Sequence, residues 1–388
     1  MLDTQFCTLI WLSHEAGKDP VAMLILSNEE IESLLTVDLA LKSLERAYIG
    51  QAQGTAVNRP RSDLYLPGVN EGSVYAFKTM EGGLVESKIV ALRLNSDTIR
   101  WQERENRVVK DKLPMAPGKK WVGLIELFAA DTGEPLAMFP DGVIQRMRVA
   151  VTSALAAREM ARQDASVMAI FGSGWQAGAH VPAFCAVRQL KKINAYSPTR
   201  GNRERFAQEM EKLVGVPVEP VNTPTEAARN SDILVAATNA VTRVIEPEWL
   251  KPGVHFTCVK DCELGAESIR KANRIVIHAR NFAPENYIAG FGDEKIPAHD
   301  PIDFIRGKKK SPAEAEAAPA WIDAPELKEI IGRKIPGRKS PEEITCFINN
   351  IGLGIQFAAV GAAIYSEAKA KGIGKEIPTD WFLESVHP

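Results

Sequence analysis

A glycine turn closing an apolar run is the part of this chain best built to hold a phosphate. Val167-Met-Ala-Ile-Phe171 suits a buried parallel strand, and Gly172-Ser-Gly174-Trp175-Gln176-Ala177-Gly178 follows at once. A helix starting there aims its unpaired first amides at a pyrophosphate, and the glycines let its oxygens approach the backbone. The next expected strand, 192–196, ends in Ser197-Pro-Thr199-Arg200-Gly-Asn-Arg203. NAD-specific folds place an acid at this tip for the ribose 2′-hydroxyl, and none stands here. Ser197, Thr199, Arg200 and Arg203 offer the donors and charge a 2′-phosphate needs. We therefore expect NADP(H), with NAD(H) the alternative. Asp261 lies just past the apolar run 255–258, where ligands gather in open α/β sheets, and is the acid/base candidate.

The rest of the composition narrows the field. With 388 residues the chain is long enough for two domains. Its net charge of −2 carries no bias toward nucleic acid or membrane. The basic run 306–310 is short and adjoins a biased Ala/Glu/Pro stretch, so it reads as a solvated loop. Five cysteines without a CxxC pair or zinc-finger spacing point to reduced thiols, no metal and a cytoplasmic setting. No run of about 18 apolar residues could cross a membrane. Residues 1–22 lack a basic start and read as an extension rather than a secretory signal.

The elements that must position these residues fall into two groups. Ser27 and Glu30 form a capping box that opens a helix running, by its apolar spacing, to Tyr48. Strand-like runs fill 59–136, including 73–77, 89–92 and 121–128, and suggest an antiparallel sheet. Asp141 is placed to cap a long helix over 142–162. From Val167 onward strands and helices alternate, the pattern of a parallel, doubly wound sheet. Gly352 to Gly372 reads as one more close-packing helix. The fold class expected is α/β: a Rossmann-type domain over 151–325, and an α+β substrate and dimerisation domain over 23–150, completed by 326–388.

Four phrases in matching order resemble the ornithine cyclodeaminase/mu-crystallin family, which includes archaeal-type alanine dehydrogenases and ketimine reductases. They are Arg148-Val-Ala-Val-Thr152 through Arg158, the glycine turn, Pro252-Gly-Val-His255 through Asp261-Cys262, and Gly337 through Phe347 with Asn349-Asn350-Ile351-Gly352. The resemblance spans about 23–374. It departs at Asn349-Asn350 and after Asp261, stretches expected to line the substrate or nicotinamide pocket.

The resemblance implies a homodimeric enzyme that moves hydride between nicotinamide and the Cα of a small α-amino or imino acid. Arg61 is implied at the substrate carboxylate, with Arg59 the competitor. Lys88 is implied as acid/base or carboxylate ligand, with Lys78 the rival. Arg148 is implied at the carboxylate, Thr152 near the cofactor phosphates, and Asp261 at the substrate nitrogen. Gly172, Gly174, Trp175, Gln176, Ala177 and Thr238 complete the cofactor set. An imine or ketimine reductase or amino-acid dehydrogenase is the leading expectation. A cyclodeaminase with recycled NAD and a non-catalytic NADP-binding protein are the alternatives.

Overall fold

The computed structural model describes residues 22–386 apart from 105–106, 281, 291, 293–294, 298–304 and 306–320. The expected N-terminal extension, except its last residue, and the 306–320 stretch lie outside the described residues.

Eighteen described strands form two sheets. The first is mainly antiparallel and holds β1 (Ala22–Ile25), β2 (Ala56–Asn58), β3 (Ser62–Pro67), β4 (Ser73–Leu84), β5 (Ile89–Arg104), β6 (Arg107–Leu113), β7 (Val122–Ala129) and β8 (Pro135–Pro140). The second comprises β9 (Val167–Phe171), β10 (Lys192–Tyr196), β11 (Val218–Pro220), β12 (Ile233–Ala236), β13 (His255–Cys258) and β14 (Arg274–Ile277), with β17 (Thr345–Ile348). It is parallel throughout, in the order β11-β10-β9-β12-β13-β17-β14. The chain winds outward from β9 to β11, then returns to β12. The crevice between β9 and β12 is thus the topological switch point, where such sheets bind ligands.

Domain boundaries differ from the sequence expectation at two places. β15 (Glu285–Ile288) and β16 (Ile296–Pro297) fall inside 151–325, yet β15 pairs with β3 and extends the first sheet. β17 falls inside 326–388, yet sits between β13 and β14. The chain leaves the parallel sheet, adds an edge to the other, and returns. Local patterning carries no signal for such an excursion.

Helix signals fare better. In α1 (Asn28–Leu34) the Ser27 hydroxyl accepts from the Glu30 amide and Glu30 caps back. The expected single helix to Tyr48 is broken here: α2 (Val37–Gln53) starts anew at the Thr36 cap, runs past Tyr48 and ends at Gly54 in the left-handed region. α3 (Gly142–Met160) links the two sheets and is almost wholly buried over its second half. Asp141 precedes it without making a side-chain cap, because Arg93 and Asn95 take its carboxylate. α4 (Trp175–Val187), α5 (Arg200–Val214), α6 (Pro224–Ala228) and α7 (Gly265–Lys271) accompany the parallel sheet. α8 (Leu327–Ile331) and α9 (Gly354–Lys371) follow. α9 crosses β4 closely: a Cβ on Gly354 or Gly82 would collide with the backbone opposite.

Strand parity gives the first sheet two unlike faces. Asp63, Lys78, Asn95 and Gly123 stand opposite one another on β3, β4, β5 and β7 and point inward, the three with side chains being buried. The next register row, Leu64, Phe77, Ser96 and Val122, points the other way, and Leu64 and Val122 are exposed.

Candidate active site

The inward row carries unusual charge for a sheet interior. Arg61 grips Asp63 with two bonds of 2.7 Å, and the Tyr65 hydroxyl donates to the same carboxylate at 3.1 Å. Lys78 is buried and lies 3.7 Å from Asp97. Arg93 reaches Asp141 at 2.6 Å and also bonds Asn95. Burial, then the neighbouring Lys110, Arg61 and Lys112, bring the Lys78 ammonium down to about 7.

Arg148, buried on α3, completes this group. Its guanidinium is 5.2 Å from the Phe357 ring centroid, and that of Arg93 is 5.3 Å from the same ring. Its side-chain partners are neutral: Gln145 at 2.8 Å and the Gln356 oxygen at 3.0 Å. The Gln356 oxygen also accepts from the Leu353 amide, which fixes the orientation of that side chain. Among the described residues no carboxylate pairs with Arg148. Burial and the charge of Arg93 lower it to about 9. A buried cation with only neutral partners is costly unless an anion arrives.

Behind Arg148 lies a closed polar network. The Gln356 amide donates to the Tyr48 and Thr152 oxygens at 3.0 and 2.7 Å, and Tyr48 meets His278 Nε2 at 2.8 Å. His278 Nδ1 faces the Ile351 carbonyl, so Nδ1 carries the proton and Tyr48 donates to Nε2. Thr152 is fully buried here, and its hydroxyl donates to the Arg148 carbonyl at 2.7 Å. This corrects the expectation that Thr152 meets cofactor phosphates: it has no exposed surface to offer one.

Lys88 is also corrected. It sits in the turn between β4 and β5 at φ 50°, half-exposed, paired with Asp131 at 3.1 Å. Lys78, the rival, is the lysine that joins Arg61. The signal was parity: Lys78 alternates with buried Ala76 and Met80, whereas Lys88 occupies a hairpin turn. Arg59 is exposed and lies 3.7 Å from Glu81.

At the switch point the glycine turn takes its expected form. Gly172 has φ 114°, and a Cβ there would run into the Ala237 carbonyl, so a side chain is excluded on both counts. Gly174 caps α4 without a side-chain bond, and a Cβ there would meet nothing within 4 Å. The first amides of α4 therefore face open space, beside half-exposed Trp175 and Gln176, while Ala177 is buried behind them. These features fit a dinucleotide pyrophosphate.

The second-strand tip divides its four candidates. Buried Ser197 bonds Ser173 across the two tips at 3.0 Å. Thr199 and Arg200 are exposed, and Arg200 pairs with Glu204 one turn along. Arg203 is buried and bonds the Ser197 and Pro198 carbonyls and Asn222. It braces the tip from within, which corrects its expected place at a 2′-phosphate.

Past β12 and β13 a carboxylate missed by sequence reasoning organises the loops. Glu263 is fully buried and accepts from the Thr238 amide and hydroxyl at 2.7 and 2.6 Å. It also accepts from the Val259 and Lys260 amides at 3.1 and 3.0 Å. Burial raises its carboxyl. Thr238 thus adjoins the glycine turn with its hydroxyl already engaged. Asp261 stands at the carboxyl edge as expected and accepts from the Cys262 amide at 2.9 Å. It lines a cavity of about 370 Å³ with Cys262, Arg270, Ile275 and Trp321. None of Arg61, Lys78 and Arg148 lines that cavity.

The loop after β17 joins the two halves. Gly352 lies so near Arg148 that a Cβ would come within 2.6 Å of Nη1. Asn349 and Asn350 hold this loop rather than line a pocket. Asn349 donates to the Val149 carbonyl and Ser153, and Asn350 bonds the backbone of residues 278 and 279.

Comparison with known proteins agrees with this architecture. The sequence pattern of the ornithine cyclodeaminase/mu-crystallin family matches residues 21–372. A Δ1-pyrroline-2-carboxylate reductase of Bacillus cereus is 32% identical over 266 residues, covering 67% of this chain and 75% of that protein. The alanine dehydrogenase of Archaeoglobus fulgidus is 26% identical over 360 residues, 91% of this chain and 98% of its own. Among solved structures, Thermococcus litoralis Δ1-pyrroline-2-carboxylate reductase with NADH and L-proline superposes with TM-score 0.70 at 25% identity, over 92% of this chain and 100% of that one.

Proposed function

Because the chain belongs to the ornithine cyclodeaminase/mu-crystallin family, we propose that it is an NAD(P)-dependent oxidoreductase of a small α-imino or α-amino acid, acting on the C–N bond at Cα. The observation that carries this reading is Arg148, a buried guanidinium with neutral partners only, beside the Arg61–Lys78 cluster. An α-carboxylate is the anion it suits, and its planar fork can bind one with two bonds. Lys78 takes the role expected of Lys88, holding the carboxylate or passing a proton at a titration point near neutrality. Asp261, on the loop after β13, is the candidate for the substrate nitrogen, as the family resemblance implies. When bound, the nicotinamide cofactor supplies or accepts the hydride.

Gly172, Gly174 and the first turn of α4 would hold the pyrophosphate. Ser197, Thr199 and Arg200 support NADP(H) over NAD(H), since no acid stands at the tip of β10. The Thermococcus relative is described with NADH, so this preference rests on the tip of this chain alone. The open face of the first sheet, with Leu64, Leu66, Val90 and Val122 exposed, supports a homodimer, which light scattering would read as twice the 42.5 kDa chain mass.

The test is a screen of NADPH and NADH oxidation against cyclic imino acids, pyruvate with ammonium, and 2-oxo acids with amines. Turnover with at least one is expected, and binding of cofactor without turnover of any would favour a carrier protein. Proline formed from ornithine without added reductant would move the assignment to cyclodeamination.

A further inference from the structure

Lys78 is flanked by two buried carboxylates, and each is also engaged by another cation. Asp63 stands directly opposite on β3 but is held by Arg61 and Tyr65. Asp97 is on β5, diagonal to Lys78 on the same face, since Lys78 pairs with Asn95. On its other side β5 pairs with β6, where Lys112 stands opposite Ile99, again diagonal to Asp97. Asp97 is thus shared between a lysine on each neighbouring strand. The sharing is unequal: 2.7 Å to Lys112 and 3.7 Å to Lys78. β6 belongs to this sheet only through β5, as an outlying strand.

We propose that Lys112 is a positioning residue for Lys78: by drawing Asp97 to itself, it leaves the buried lysine without a close counter-ion and available to substrate. The inference rests on Lys78 being the substrate lysine. Half-exposed Lys112 keeps water on one side, whereas Lys78 is buried. The charged groups around Lys78 are Arg61, just before β3, Asp63 on β3, Arg93 and Asp97 on β5, and Lys110 and Lys112 on β6. Its low titration point follows from burial together with the cations Lys110, Arg61 and Lys112. A strand remote from the glycine turn thereby sets the proton occupancy of a group at the substrate.

The test is a 13C NMR titration of the lysine Cε signals in the full-length protein, with Lys78 assigned by its loss in K78M. In K112M, Asp97 is released to Lys78 and one repelling cation is gone, so Lys78 titrates about one pH unit higher. In D97N it titrates lower, and K112R restores the wild-type value. The limb of the kcat/KM profile that belongs to Lys78 moves with it. An unchanged Lys78 titration in both K112M and D97N overturns the proposal. A titration that moves while the kcat/KM profile stays fixed overturns the role of Lys78 in the reaction and leaves the charge coupling standing.

Discussion

Among the buried arginines, Arg148 carries charge that the fold leaves uncompensated. Arg61 has Asp63 and Arg93 has Asp141, whereas Arg148 has Gln145 and Gln356. Arg148→Lys keeps the charge but loses the fork, so kcat/KM for the imino acid should fall about 100-fold, with cofactor affinity unchanged. Steady-state kinetics and a fluorescence titration with NADPH check the two halves. The arginines at 200 and 203 should separate equally clearly. Arg200→Ala weakens NADPH binding about tenfold and leaves NADH unaffected. Arg203→Ala removes the brace of the strand tip, lowering the melting temperature and the affinity for both cofactors; isothermal titration with each cofactor tells the cases apart. Equal losses for the two cofactors in Arg200→Ala would count against the NADP(H) preference.

Elements place these residues through close backbone approach more than through flexible side chains. Gly172 nestles against the loop after β12, and Gly352 against Arg148, so the loops after β9 and β17 each touch a group they help to set. Gly352→Ala puts a methyl against the guanidinium. The KM should rise at least tenfold, with circular dichroism and NADPH binding intact, because the glycine turn is untouched. The glycine turn, the Ser27–Glu30 capping box and the alternation after Val167 rest on local signals and survive intact. Lys78, Arg93, Asn95 and Asp97 announced themselves only as polar residues at period two on strands, a pattern that also describes a solvated face. Part of the cover over that face comes from α9, whose Phe357 ring lies 5.3 Å from the Arg93 guanidinium although more than 250 residues separate them in the chain.

For the whole molecule, long-range contacts decided what sequence could not. Glu263, Tyr48 and Gln356 look ordinary in their own segments, and each becomes a junction only when distant loops converge. The same burial predicts a pH response. His180, His255 and His278 are fully buried, and burial brings them down to about 4, 3 and 3. Each folded value is depressed, so each contribution is complete above the unfolded value near 6.5 and is lost as pH falls toward the folded one. Down to pH 5 each histidine costs up to about 2 kcal/mol. The melting temperature should therefore drop steadily between pH 6.5 and 5; a flat profile there would contradict these buried, neutral imidazoles.

In the proposed reaction a nicotinamide at the β9–β12 crevice exchanges hydride with the Cα of an acid held by Arg148. The most direct measurement uses NADPH deuterated at C4 on the transferred face, with a five- or six-membered cyclic imino acid, and the mass spectrum of the product. One deuterium at Cα is expected, with the signal lost in Arg148→Met. Amino-acid product without deuterium at Cα, or undiminished transfer in Arg148→Met, would contradict it.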